Sequence, residues 1–205
     1  MKKKRVLLVS CSVILLCICI VAGMSYALFT DSASVSNHLK AGNLDVTLTR
    51  TNLEYSVLNN NGELEVSRVT GAQSFTGSNT NNIFGISSED MVIVPGSYFD
   101  AQLQIGNGGN VAFNYTVQLT DISNTKLAEQ LRVTVTKPDG TTETKMLKEF
   151  SGAIFTGVMQ KGTTAQTFSV KVEFLDDSNE NFTNNDAMSG VADFDLVVTA
   201  TQKTA

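Results

Sequence analysis

Beyond residue 43, apolar and polar residues alternate along most of the chain. Leu44, Val46 and Leu48 stand between polar residues, and the same spacing returns at Leu53 and Tyr55. A period of two places every second side chain on the same face, so it indicates strands with one buried face rather than helices. The segments with this pattern are 44–48, 53–57, 64–66, 99–105, 113–119, 133–135, 168–174 and 192–198.

Turn-forming residues separate these segments. Asn59-Asn60-Asn61-Gly62 predicts a hairpin turn, and Pro95-Gly96 predicts a type II turn after a short strand over 91–94. Further turns are expected at 107–110 and at 138–140, while the Gly, Ser, Thr and Asn of 70–82 indicate an exposed loop. The chain should therefore fold as consecutive antiparallel strands.

Helix-forming residues gather in one segment, 126–131, which is long enough for one or two turns. A polar loop is expected over 176–185. Eight to ten short strands with regular turns predict an all-β protein. The expected fold class is a jelly-roll-like antiparallel β-sandwich with short helical excursions, preceded by a signal-peptide helix.

The N-terminus has the pattern of an export signal. Lys2 to Arg5 are basic, and the nineteen residues from Val6 to Met24 carry no charge. Ser25-Tyr26-Ala27 then places small residues at the −3 and −1 positions of a cut before Leu28. The expected division is a signal peptide over 1–27 and one β-sandwich domain over 28–205, with the membrane contacted only through the leader.

Two alternatives to this cut were weighed. The apolar run is long enough to remain as an uncleaved membrane anchor. Leu8-Val9-Ser10-Cys11 resembles a lipidation motif, but only five uncharged residues, 6–10, lie between Arg5 and Cys11, which is a short hydrophobic region for that processing.

Composition narrows the classes of function. All three cysteines lie in the leader, so the mature chain has no disulfide and no cysteine nucleophile. The leader also holds four of the 15 basic residues and none of the 20 acidic ones, which leaves the mature chain more acidic than the whole sequence at −5. Such a surface repels nucleic acid, so no nucleic-acid partner is expected.

Catalytic and metal-binding motifs were considered in turn. The chain has one histidine, His38, which by itself favours a surface or packing role over a zinc ligand or a triad base. Asp176, Asp177, Glu180 and Asp186 form the densest acidic cluster, which indicates a solvated loop, with calcium binding as the alternative. We expect no cofactor, no metal ligand and no catalytic residue.

Two other motifs were considered. Gly106-Asn107-Gly108-Gly109-Asn110 superficially resembles a phosphate-binding loop, but it lies between two alternating segments and favours a β-turn. Asn114-Tyr115-Thr116 and Asn181-Phe182-Thr183 are glycosylation sequons that matter only where the source glycosylates them.

Longer motifs resemble the TasA and camelysin (CalY) family of secreted proteins. They are the junction Ser25-Tyr26-Ala27-Leu28-Phe29-Thr30-Asp31, the segment Leu39-Lys40-Ala41-Gly42-Asn43-Leu44-Asp45-Val46, Val94-Pro95-Gly96, the Gly-rich turn Ile105-Gly106-Asn107-Gly108-Gly109-Asn110 and the ending Phe194-Asp195-Leu196-Val197-Val198-Thr199-Ala200-Thr201-Gln202. Leu28 departs from the aromatic residue that is usual in the family. The resemblance covers nearly the whole chain.

The resemblance implies a structural subunit of extracellular biofilm-matrix fibres, released by a SipW-type signal peptidase that cuts beside Leu28. It implies assembly with copies of itself or homologous matrix subunits, when the N-terminal strand of one molecule completes the sheet of the next. The candidate donor strand is 28–43, with Leu28, Phe29, Val35 and Leu39 as its apolar residues.

The residues alone leave two other functions open. One is a monomeric cell-surface binding or adhesion module, and the other is a metallopeptidase, the class to which camelysin is assigned. Because no His-Glu-x-x-His motif maps onto the chain, we expect it not to be an enzyme. The export signal predicts a secreted protein of the matrix or cell surface.

Overall fold

The computed structural model describes residues 43–59, 61–75, 83–85, 93–176 and 190–203. Within these ranges the chain forms nine β-strands, one short α-helix and one 3-10 helix. The strands are β1 (Val46–Leu58), β2 (Leu64–Phe75), β3 (Tyr98–Asn107), β4 (Phe113–Thr120), β5 (Leu131–Thr136), β6 (Thr142–Met146), β7 (Ala153–Met159), β8 (Gln166–Phe174) and β9 (Asp195–Gln202). The α-helix α1 spans Lys126–Gln130, and the 3-10 helix spans Leu147–Glu149.

The strands form two antiparallel sheets. The larger sheet has six strands in the order β2-β1-β3-β8-β5-β6, and the smaller has three in the order β7-β4-β9. From β3 onward the chain passes between the sheets at every connection except the β5–β6 hairpin. This arrangement confirms the predicted antiparallel β-sandwich, and α1 confirms the short helical excursion.

The predicted turns are also present. Ser97 N–H donates to the Val94 carbonyl at 2.9 Å, and Gly96 has φ of 91°, as a type II turn requires. Gly62 closes the first hairpin with φ of 80°, and its N–H donates to the Asn59 carbonyl at 3.0 Å. Because these positions need a left-handed backbone, glycine marks them in the sequence.

One bulge explains a change of phase in the sequence. The inward positions of β1 are even-numbered at Val46 and Leu48 but odd-numbered at Leu53 and Tyr55. The pairing of β1 with both neighbours shifts between Arg50 and Asn52. Thr51 is one residue more than β3 has in this interval, whereas β2 has two residues there, 71 and 72. A bulge moves all later side chains to the other parity, so two apparent segments form one continuous strand.

Three local predictions were wrong. Residues 70–75, expected in a loop, belong to β2, because Gly71 with φ of 130° lets the chain remain paired with β1 through Phe75. Residues 93 and 94, expected in a strand, lie outside any strand. The last strand begins at Asp195 rather than near Ala192.

The sequence analysis also missed β6 and β7. Thr142–Met146 is mostly polar and stays in the sheet through backbone pairing with β5. Strand β7 contains Ile154 and Met159, which are both buried although their spacing breaks the alternation, because a bulge interrupts the pairing of β7 with β4. Backbone pairing therefore defines these strands more than hydrophobic pattern does.

The core lies between the two sheets. Phe113, Tyr115, Val117 and Leu119 of β4 are all buried and project from the centre of the smaller sheet. Opposite them, β3 and β8 supply the buried residues Phe99, Ala101, Leu103, Ile105, Phe168, Val170, Val172 and Phe174. Alternation in these central strands is complete because one face of each strand meets the other sheet.

Tyr115 links the two layers. Its hydroxyl donates to Gln166 Oε1 on β8, and its ring packs edge-to-face against Phe155 at a centroid distance of 6.2 Å. A Cβ at Gly157, its partner across the ladder, would overlap the Tyr115 ring. Burial raises the pKa of the Tyr115 hydroxyl. Gly157 is therefore required so that the aromatic ring can cover the neighbouring strand.

Candidate assembly interface

Within the described ranges, four strands pair on one side only: β2, β6, β7 and β9. Such edges expose backbone donors and acceptors, and charged residues are a common protection against unwanted pairing. β2 carries Glu65 and Arg68, and β6 carries Glu143 and Lys145. By contrast, β7 has no charged residue, and β9 has none after Asp195.

The two edges of the smaller sheet differ in regularity. The pairing of β7 with β4 shifts between Val117 and Gln118, and such a bulge disturbs an edge for further pairing. β9 pairs with β4 over eight consecutive residues, from Asp195 to Gln202, without a shift. β9 is therefore the more regular of the two uncharged edges.

The inner face of β9 is incompletely covered. Leu196, Val198 and Ala200 lie opposite Leu119, Val117 and Tyr115 in the ladder. The β4 residues are buried, whereas their β9 partners are only partly buried, although they pack against the same core. An additional strand beside β9 would cover these side chains and the backbone of the edge together.

Part of the larger sheet is also incompletely covered. Val46 and Leu48, on the inner face of β1, are partly buried. Phe84 packs on Phe99 at 5.1 Å and on Phe194 at 6.4 Å between ring centroids, so the start of β9 faces the β1–β3 side of the larger sheet. The half-covered side chains of the two sheets therefore lie on the same side of the core.

The Gly-rich turn between β3 and β4 holds the start of the described domain. The N–H groups of Gly108 and Asn110 donate to the carbonyls of Asp45 and Asn43, each at 3.0 Å. The Asn43 N–H donates to Asn110 Oδ1 at 2.6 Å. A Cβ at Gly109 would overlap the Asn43 carbonyl, so the turn needs glycine there.

The predicted turn at 107–110 is confirmed, but its second role was missed from the sequence. The turn fixes residues 43–45 through backbone contacts that cross more than sixty positions. The motif Asn-Gly-Gly-Asn predicts a turn. Which backbone segment the turn binds depends on how the sheets are folded. Asn43, the last residue of the candidate donor strand 28–43, is therefore held by hydrogen bonds to this turn.

A charged network crosses the outer face of the larger sheet. Arg68 on β2 pairs with Glu54 on β1, and Glu54 Oε1 accepts a hydrogen bond from the Tyr98 hydroxyl at 2.9 Å. Lys171 Nζ lies 4.7 Å from the centroid of the Tyr98 ring. On β5, Arg132 pairs with Glu173 at 2.7 Å. The network links five neighbouring strands through their side chains.

Glu54 of this network and its ladder partner Asp100 have opposite pKa shifts. The hydrogen bonds from Arg68 and Tyr98 hold the pKa of Glu54 below its usual range. Burial raises the pKa of Asp100, although Lys171 partly offsets this effect. The two residues face each other in the β1–β3 register, so their environments differ over one strand spacing.

Arg50 lies at the bulge of β1 and is 5% exposed. Its Nη1 donates to the Ile83 carbonyl at 3.2 Å, and burial lowers the pKa of its guanidinium. Its Nε has no hydrogen-bond partner among the described residues. A Cβ at Gly85 would overlap this guanidinium, so Arg50 and Gly85 together fix the segment 83–85 against the sheet.

Several residues singled out from the sequence lie outside the described residues. They are the cleavage-site residues Ser25, Tyr26, Ala27 and Leu28, the donor-strand residues Phe29, Val35 and Leu39, His38, and the acidic residues Asp177, Glu180 and Asp186. Asp176 is described and exposed. The roles given to these residues stay predictions.

Two features are absent from the described residues. No group of three or more His, Cys, Asp or Glu side chains in this part of the chain is placed to hold a metal ion. No helix in the same ranges is long and apolar enough to cross a membrane.

Comparisons with known proteins were made for the whole chain. No protein-family model matches it. No curated protein is significantly similar to it.

Proposed function

We propose that this chain is a secreted structural subunit of extracellular matrix fibres that assembles by strand addition. In this proposal, residues 28–43 of one molecule form the donor strand, and β9 of the next molecule accepts it. The observation that carries the proposal is the edge of β9, which is uncharged after Asp195, regular over eight ladder pairs and only half covered.

Physical chemistry supports strand addition at such an edge. A donor strand would pair with the exposed backbone of β9 and supply alternating side chains to cover Leu196, Val198 and Ala200. The contact joins two different surfaces, so it repeats without closing and produces filaments. A polymer held this way needs neither a disulfide nor an active site.

The resemblance to the TasA and camelysin family also supports the proposal, because its motifs include the junction beside Leu28 and the Ala41-Gly42 segment. The fixed position of Asn43 adds a mechanical reason. A donor strand transmits load only when its root is held, and three backbone or side-chain hydrogen bonds hold residues 43–45 on the Gly-rich turn.

The test uses the mature chain 28–205 and a variant that lacks residues 28–37. We expect filaments from the mature chain under electron microscopy after concentration and mild acidification. The truncated variant should remain monomeric with an unchanged β-sheet circular dichroism spectrum. A synthetic peptide of residues 28–43 should bind the truncated variant, and a scrambled peptide of the same composition is the control.

The outcomes separate the candidate functions. Filaments of equal length and number from the truncated variant would exclude residues 28–37 as the donor. A mature chain that stays monomeric at every concentration would overturn the fibre proposal and favour a monomeric surface-binding module.

A further inference from the structure

Three large apolar side chains are exposed together on the outer face of the first hairpin. Leu58, Leu64 and Val66 are 43%, 45% and 60% exposed. Leu58 and Leu64 are direct partners across β1 and β2, and Val66 follows Leu64 on the same face. Single exposed apolar residues are ordinary, but an adjacent group indicates a contact surface. We refer to these three residues as the tip patch.

The tip patch is bordered by a turn on one side and by an ion pair on the other. Leu64 lies against the Pro95-Gly96 turn, where a Cβ at Gly96 would be 3.0 Å from Leu64 Cδ1. On the other side, the apolar surface ends at the salt bridge between Arg68 and Glu54. An apolar centre within a polar rim is the usual composition of a protein–protein contact.

The tip patch and the root of the N-terminal segment lie at opposite ends of β1. The segment enters at Asn43, before the first residue of β1, and the patch begins at Leu58, the last of its 13 residues. At roughly 3.3 Å per residue, β1 alone spans roughly 40 Å between these two points. A head-to-tail neighbour therefore presents its Asn43 end to the tip patch.

The Asn43 end also exposes an apolar residue. Leu44 is 39% exposed and directly follows Asn43, whose position the Gly-rich turn fixes. Each end of the domain thus offers apolar surface, and the two surfaces are different, as a non-closing contact requires.

We propose that the tip patch binds the Leu44 end of a second copy of this chain. This inference rests on the proposed function and adds a second contact to strand addition. The donor strand connects the two molecules, and the tip patch sets the angle between them by packing on the rigid root of that strand. Without the patch, strand addition remains possible but loses part of its apolar contact.

The test compares critical concentrations for filament formation, measured by sedimentation. Val66→Glu and Leu44→Glu should each raise the critical concentration about tenfold or more, since each places a charge in an apolar contact. Val66→Thr, which keeps the shape and β-propensity, should raise it less. Circular dichroism checks that each variant is folded.

Val158→Glu is the matched control. Val158 is 40% exposed on the outer face of β7, the edge of the smaller sheet that lies on the other side of β4 from β9, and it belongs neither to the tip patch nor to the accepting edge. This variant should change the critical concentration by less than about twofold. The double variant Val66→Glu/Leu44→Lys should recover most of the loss, because opposite charges then meet across the contact.

Three results would overturn the inference. If Val66→Glu assembles like Val158→Glu while the variant without residues 28–37 does not assemble, the tip patch has no role and strand addition stands. If the mature chain forms no filaments, both proposals fail. Loss of assembly in Val66→Glu without recovery in the charge-swapped double variant would exclude Leu44 as its partner.

Discussion

At the scale of single residues, the neighbours of a charged side chain in the sheet decide whether its ionised form raises or lowers the stability of the fold. Glu54 and Asp100 face each other on the outer surface, yet Glu54 has two strong hydrogen-bond donors and Asp100 is partly buried with Lys171 nearby. Ionised Glu54 therefore stabilises the fold, whereas ionised Asp100 carries a desolvation cost.

This contrast gives the first prediction. Because its folded pKa is lowered, Glu54 contributes stability above the usual glutamate pKa of about 4.3, and this is lost as pH falls through the folded value. Because its folded pKa is raised, Asp100 costs stability at neutral pH, and this cost disappears below about pH 3.9. At pH 7, Glu54→Gln should lower the melting temperature, and Asp100→Asn should raise it slightly.

Thermal melts from pH 7 down to pH 3 check the signs. The difference between each variant and the parent chain should shrink toward the acidic end, because protonation removes the charge that each substitution also removes. A difference for Glu54→Gln that is equally large at pH 3 would mean that shape, rather than charge, is responsible.

At the scale of elements, a turn and a strand end stabilise each other. The Gly-rich turn folds locally, but its amides point at the backbone of Asn43 and Asp45, which lie far away in the sequence. Gly109 is the closest point of approach, since a Cβ there would overlap the Asn43 carbonyl. The turn is therefore also the site that fixes the root of the N-terminal segment.

The second prediction follows from this close approach. Gly109→Ala should destabilise the domain by about 1–3 kcal/mol, because the added methyl forces residues 43–45 away from the turn. Hydrogen exchange should become faster at the amides of Gly108 and Asn110, which lose their acceptors. The control is Asn110→Ala, which removes only the side-chain acceptor of the Asn43 amide. An unchanged exchange rate at Gly108 in Gly109→Ala would contradict the overlap.

At the scale of the whole molecule, the two sheets are unequal. In the described part of the chain, six strands face three, and the partly buried inner side chains of β9 and β1 lie on one side of the core. The edges of the larger sheet carry charges, while those of the smaller sheet carry almost none. A strand added to the smaller sheet would therefore cover more apolar surface and meet fewer charges than one added to the larger sheet.

The third prediction tests that imbalance by adding a charge to the accepting edge. Val197 lies on the outer face of β9 opposite Gln118 of the central strand β4. Val197→Lys should leave the monomer folded but reduce filament formation, because a lysine on an edge strand disfavours pairing with a further strand. Gln118→Lys adds the same charge one strand away and should assemble like the parent chain. Equal assembly of both variants, measured by sedimentation, would exclude β9 as the acceptor.

Hydrophobic alternation was sufficient to predict the central strands. Phe113 to Leu119 and Phe168 to Phe174 alternate completely because both strands lie between neighbours and press one face on the opposite sheet. β6 and β7 could not be predicted this way. They lie at edges, where backbone pairing holds a strand whose side chains need not alternate.

The sequence by itself determined the fold class, the turns at Gly62, Gly96 and 107–110, and the phase change that marks the bulge near Arg50. These features are local, because side-chain period and glycine conformation act over a few residues. Only the tertiary structure decided which strands are edges, where the core is half covered and which backbone the Gly-rich turn holds. Those properties depend on pairings between distant segments, and the order of strands in a sheet is not contained in the pattern of any one strand.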